Sequence, residues 1–77
     1  MDFKLVLTNI ARAIVDTPDA VNVEETVNGN NILLVLTVAE DDTGMVIGRH
    51  GKIAKAIRQI IKVAANTCGK HVTVEIK

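Results

Sequence analysis

Gly48 and Gly51, with only Arg49 and His50 between them, are the residues of this 77-residue chain whose type and spacing bear most directly on chemistry. Two positions without a Cβ at the ends of a tight loop open the main chain to close approach, so its N–H groups can hold a bulky anion. The segment 46–52 around them reads Val-Ile-Gly-Arg-His-Gly-Lys, apolar before the loop and basic after it. The same segment contains no carboxylate, and no nucleophile stands beside a base, so binding rather than catalysis is the chemistry offered. Ile53 follows Lys52 where an NTPase loop needs Ser or Thr to hold magnesium, which excludes that kind of phosphate site. Gly44-x-x-x-Gly48 has the spacing of a membrane-helix contact, but the segment is short and charged residues lie close by. Cys68-x-x-His71 has only His50 as a further Cys or His ligand, so no structural zinc set is complete, and the pair reads as a buried thiol and a surface histidine. No cofactor or metal is expected.

Charge is divided along the chain although it sums to zero. Residues 1–42 carry Lys4 and Arg12 against eight acids, a balance of −6, whereas residues 43–74 carry Arg49, Lys52, Lys55, Arg58, Lys62 and Lys70 with no acid, a balance of +6. One region is built to meet a polyanion and another to stay clear of it. The single Cys68 excludes an internal disulfide, Met1 leads into Asp2 with no apolar export segment, and no run is long enough to span a membrane, so the chain reads as cytosolic. A domain of this length sits near the lower limit of what one core stabilises unaided, which makes self-association an expectation.

The elements that must position the loop follow from periodicity. Asp2 caps a first helix with apolar residues at Phe3, Val6, Leu7, Ile10, Ala11 and Ile14, ended by Thr17-Pro18-Asp19. Residues 21–27 form a β-branched strand in which Glu25 shares a face with Val21, Val23 and Val27, implying an edge or a bulge. Asn28-Gly29 marks a hairpin, and the nearly all-apolar run 32–38 reads as a strand covered on both faces or central in a sheet. Asp41 or Asp42 caps a short second helix that ends at Gly48. Ile53, Ala56, Ile57, Ile60, Ile61, Ala64 and Ala65 then repeat as the apolar stripe of a third helix stopped by Gly69, and residues 71–77 alternate as a closing strand with Val72, Val74 and Ile76 on one face.

The order α-β-β-α-α-β allows antiparallel pairing across the short turn and a parallel crossover through the last two helices. An α+β fold results, with a three-stranded mixed sheet and three helices on one face, in one domain over 1–77. On the third helix Ile53, Ile57, Ile60 and Ala64 cluster on one side, with Lys52, Lys55, Arg58 and Lys62 opposite, on the solvent side. Arg49, Lys52 and Lys55 are near enough to the loop to share a phosphate path, while Arg58 and Lys62 lie further along and are assigned to solubility.

Val46-Ile47-Gly48-x-x-Gly51-x-Ile53, between two helices, resembles the signature of KH domains, whose Gly-x-x-Gly loop clamps nucleic-acid backbone. With a helix and a hairpin before the loop, the order resembles the type II arrangement. Length, the Gly44–Gly48 segment and Ala56-Ile57-Arg58 are similar to the small bacterial single-KH proteins of the KhpA (YlqC) family. That resemblance implies single-stranded RNA as ligand, with Ile47, Gly48, Arg49, His50, Gly51, Lys52, Ile53 and Lys55 as the contact residues. It places the phosphates on the loop and the bases on an apolar floor of Ile47, Ile53 and part of the 32–38 strand. Composition agrees, since folds that stack bases on aromatic platforms need more than the single Phe3. Helix-turn-helix binding of DNA is the nearest rival, but the second helix of the pair offers no Asn or Gln before Gln59.

Two functions remain open: an RNA-binding module acting as an RNA chaperone or post-transcriptional regulator, and an assembly module with RNA binding secondary. The resemblance implies a homodimer and pairing with a larger KH-containing protein (KhpB/Jag-like). Ile60 or Ile61 is the candidate for the dimer surface, the alternative being that both are core.

Overall fold

The computed structural model describes all 77 residues, in the order α1 (Phe3–Ile14), β1 (Asn22–Asn28), β2 (Asn31–Thr37), α2 (Thr43–Ile47), α3 (Lys52–Thr67) and β3 (His71–Ile76). Helix α1 starts as its sequence dictates, with the Asp2 carboxylate accepting from the Leu5 N–H at 3.0 Å. Its Phe3, Leu7 and Ala11 are buried, one per turn. The three strands lie in the order β1-β2-β3, β1 antiparallel to β2 and β3 parallel to it. Gly29 takes φ +64° at the first of two turn positions, the place a glycine holds in a type II′ hairpin. The β1–β2 register runs without a bulge, so Glu25 is tolerated because β1 is an edge strand.

One face of β2 is buried under the helices through Ile32, Leu34 and Leu36. This central strand is covered on one side only. On its other face Leu33 and Val35 are half-buried and flanked by exposed Glu24, Thr26, Thr73 and Glu75. Helix α1 packs over β1 and α3 over β3, and Leu7, Leu34, Leu36, Val46 and Ile61 are the largest side chains fully enclosed between the layers.

Two local expectations are corrected. Asp42 does not cap α2 with its side chain; its backbone is already helical there, after a 3-10 turn at Glu40–Asp42, and the carboxylate turns inward. It is the one buried charged residue, and its Oδ2 accepts the Thr17 N–H at 3.0 Å, tying the start of α2 to the link between α1 and β1. Asp42→Ala leaves that amide without its partner and is expected to cost about 1–3 kcal/mol. The loss shows as a fall in Tm of about 4–8 °C per kcal/mol. Asp42→Asn, which keeps an acceptor, is expected to recover most of it, and equal melting of all three proteins would remove the tie from the account. Cys68 is exposed rather than buried, because it sits at the C-terminal cap of α3 where the helix leaves the core.

Candidate nucleic-acid interface

The loop between α2 and α3 is built almost wholly from left-handed backbone. Gly48 takes φ 75°, ψ 173°, His50 φ 57°, ψ 24° and Gly51 φ 74°, ψ 15°. The two glycines serve different ends. Gly48 lies in a region that only glycine occupies readily, and a Cβ there would stand 2.6 Å from Ile53 Cγ1 and 2.9 Å from the Ile53 nitrogen. Gly51 is left-handed but faces open space, with nothing within 4 Å of the point a Cβ would occupy. His50 is the only residue other than glycine with positive φ, in the small region where Asn, Asp and His are enriched.

Hydrogen bonds hold the loop from within: Gly48 N–H donates to the Gly44 carbonyl at 2.9 Å and Gly51 N–H to the Gly48 carbonyl at 3.2 Å. Arg49, His50, Lys52 and Lys55 are all exposed around this turn, and Ile47 and Ile53 flank it, each somewhat over one-third exposed. Loop and flanking residues are thus brought together.

The apolar floor is corrected. Ile32, Leu34 and Leu36 lie beneath the helices and Leu33 and Val35 on the opposite face of the sheet, so β2 lines no surface beside the loop. A cleft of about 340 Å³ opens instead between α3 and β3, with no acid in its lining. Arg58, Lys62 and Asn66 form one wall; His71, Val72 and Val74 form the other. His71 N–H and Lys77 N–H donate to the Asn30 and Leu36 carbonyls at 2.9 and 3.0 Å, so odd-numbered residues of β3 direct their main-chain groups to β2. By the alternation of a parallel strand, Val72, Val74 and Ile76 turn theirs to the free edge, toward the cleft. Arg58 uses one of them, its Nε donating to the Val74 carbonyl at 3.3 Å.

Helix α3 therefore has three faces. Ala54, Ile57, Ile61 and Ala65 enter the core; Arg58 and Lys62 flank it on the cleft side; Ile53, Ala56, Ile60 and Val63 form an exposed apolar stripe on the other flank. Ile60 and Val63 are 54% and 56% exposed while Ile61 is 0%, so of the two candidates for an outer surface Ile61 is core and Ile60 is free. Arg58 and Lys62, assigned to solubility by their distance from the loop, line the cleft. Asn66 and His71, on either side of the turn from α3 into β3, join them in the lining.

A three-stranded mixed sheet with three helices on one face, in the order α-β-β-α-α-β and with Gly-x-x-Gly joining α2 to α3, defines a type II KH domain. The match extends to one family. The family model described as KhpA/KhpB, KH domain, aligns with residues 4–76, and the chain belongs to that family. A protein of Clostridium acetobutylicum named RNA-binding protein KhpA is 51% identical over 73 residues, covering 95% of this chain and 97% of the relative. A protein of the same name from Caldanaerobacter subterraneus is 51% identical over 67 residues, covering 87% and 89%. In three dimensions the chain is similar to Aquifex aeolicus Era, in a crystal structure with GDP and AlF4−, at TM-score 0.65 and 17% identity. The match covers 96% of this chain but only 29% of Era, and it speaks for the fold alone.

Proposed function

We propose that this chain, as a single KH domain, binds single-stranded RNA, with phosphates on the Gly48–Gly51 loop and bases in the cleft between α3 and β3. The observation that carries this reading is an acid-free cleft against the free edge of β3, on the same helix that the positive-φ loop opens. The name RNA-binding protein, borne by relatives that this chain matches over nearly their whole length, supports it. Gly48 and Gly51 keep the loop open; Arg49, His50 and the N-terminus of α3 add positive potential. Ile47 and Ile53 meet the first base, and Lys52 and Lys55 follow the backbone. The physiological role that fits is an RNA chaperone or post-transcriptional regulator in the bacterial cytoplasm. No helix of the chain is long and apolar enough to cross a membrane.

Salt titration tests the phosphate path. Single-stranded binding weakens with salt by a slope of about 0.7 per neutralised phosphate, so Lys52→Gln and Lys55→Gln should each reduce the slope by about that much. Arg12→Gln, on α1 and outside both the loop and the cleft lining, serves as the control that leaves it unchanged. Slopes identical in all four proteins would remove the lysines from the path.

A second reading rests on the apolar stripe Ile53, Ala56, Ile60 and Val63, which a solitary small domain has no reason to expose together. In that reading the stripe pairs two copies of the chain, or this chain with a larger KH-containing protein of the KhpB/Jag kind. Ala56, Ile60 and Val63 lie outside the cleft, so pairing through them leaves it open, while Ile53, at the loop end of the stripe, belongs to the RNA site.

A further inference from the structure

We infer that Arg58 selects the base held in the cleft, favouring bases that present two adjacent hydrogen-bond acceptors on one edge. This rests on the cleft being the nucleic-acid site proposed above. Arg58 is the one residue that spans the cleft, from α3 to the free edge of β3, through Nε and the Val74 carbonyl at 3.3 Å. Two consequences follow from that single bond. The Val74 carbonyl, an edge acceptor turned toward the cleft, already accepts from Arg58 and keeps only its second lone pair for a base. The guanidinium is anchored at Nε, so its two terminal nitrogens are left as a paired donor fork whose direction is fixed before any base arrives.

A donor fork matches two neighbouring acceptors. Guanine offers O6 and N7, and cytosine offers O2 and N3 on the edge exposed when it is unpaired. Adenine places an amino group beside N7 and N1, and uracil places an N–H between its two carbonyls, so each meets the fork with a donor against a donor. No acid lines the cleft to neutralise the guanidinium or to draw it away from the base. Phosphate contacts at the loop position the strand, whereas Arg58 supplies the contact that depends on base identity.

Anisotropy titrations test this with short labelled oligouridine strands whose central residues are uridine, adenosine, guanosine or cytidine. The wild-type chain is expected to bind the guanosine or the cytidine strand roughly ten-fold more tightly than the other two, within the worth of one bidentate arginine contact. Separate strands for guanosine and cytidine reveal which edge the fork reads. In Arg58→Lys, which keeps the charge but loses the planar fork, the ratio of preferred-strand to uridine-strand affinity falls to about one. In the wild type, independently of any variant, the Arg58 Nε–H resonance shifts more with the preferred strand than with uridine. Equal binding of all four strands, a preference for adenosine or uridine, or a preference that survives Arg58→Lys overturns the inference alone. Failure of the wild type to bind any strand overturns the RNA reading and the inference with it.

Discussion

Gly51→Asp is expected to weaken RNA binding by several-fold to several hundred-fold while leaving the fold and the oligomeric mass of the chain unchanged. The position suits the test because of its geometry. Gly51 is left-handed at φ 74°, ψ 15°, where Asn and Asp are the best tolerated of the larger residues, and no atom stands in the way of a side chain. Gly51→Asn therefore carries the same small backbone cost, about 1 kcal/mol, without the charge. Asp differs from Asn by one negative charge beside the bound phosphate. At about 4 Å that repulsion lies between roughly 1 kcal/mol in water and roughly 4 kcal/mol near a protein surface, which corresponds to a loss of between several-fold and several hundred-fold. Electrophoretic retention and circular dichroism on the wild type, Gly51→Asn and Gly51→Asp decide the matter. Equal RNA binding by the Asn and Asp variants would sink the loop as a phosphate site. Gly48→Asp is not a substitute, since its Cβ collides with Ile53 and any loss of binding would be confounded with a displaced α3.

The largest effect on stability is expected at Ile61. This side chain is fully enclosed between α3, α1 and the sheet, so Ile61→Ala should cost about 2–5 kcal/mol. Small domains have only about 5–15 kcal/mol in hand, and one of this length belongs toward the lower end, so the variant is expected to be largely unfolded at modest denaturant concentrations. The adjacent residue should behave in the opposite way. Ile60→Ala removes a side chain that is more than half exposed and should change stability by no more than about 0.5 kcal/mol. Urea unfolding separates the two, and a loss at Ile60 matching that at Ile61 would contradict the assignment of core and surface on α3. If the apolar stripe joins two copies, Ile60→Asp reduces the mass in solution to that of one chain while the far-ultraviolet spectrum is kept. An unchanged mass removes the stripe as the pairing surface.

Features set by local chemistry are legible in the sequence. Asp2 as a cap, the hairpin at Gly29, the stop at Gly69 and a tight glycine loop at Gly48 and Gly51 each depend on a few neighbouring residues. The apolar period of α1 and the alternation of β3 also lead directly to elements and their inner faces. Helix α3 is only partly legible, because a 3.6-residue period reports an apolar direction and cannot tell one broad face from two adjacent ones. Periodicity groups Ile53 and Ile60 with Ile57, yet the inward direction is set by Ala54 and Ile61, and the two isoleucines fall on the outer flank. The floor of the cleft escapes the sequence for a related reason: 32–38 is apolar enough to line a groove, but as the central strand it is consumed by the core. Arg58 and Lys62 look remote when distance is counted along the chain from Gly51. Only the parallel pairing of β3 with β2 shows that they face its free edge.

That pairing has a consequence for a chain emerging from the ribosome. Glycine loop and basic helix are synthesised before the strand that forms the opposite wall of the cleft, and this strand joins the sheet only by docking beside β2 across the two intervening helices. Before β3 docks, the loop and α3 offer charge to a polyanion but only one wall of the cleft. On the proposed reading, base discrimination is therefore acquired late, at the step that completes the sheet.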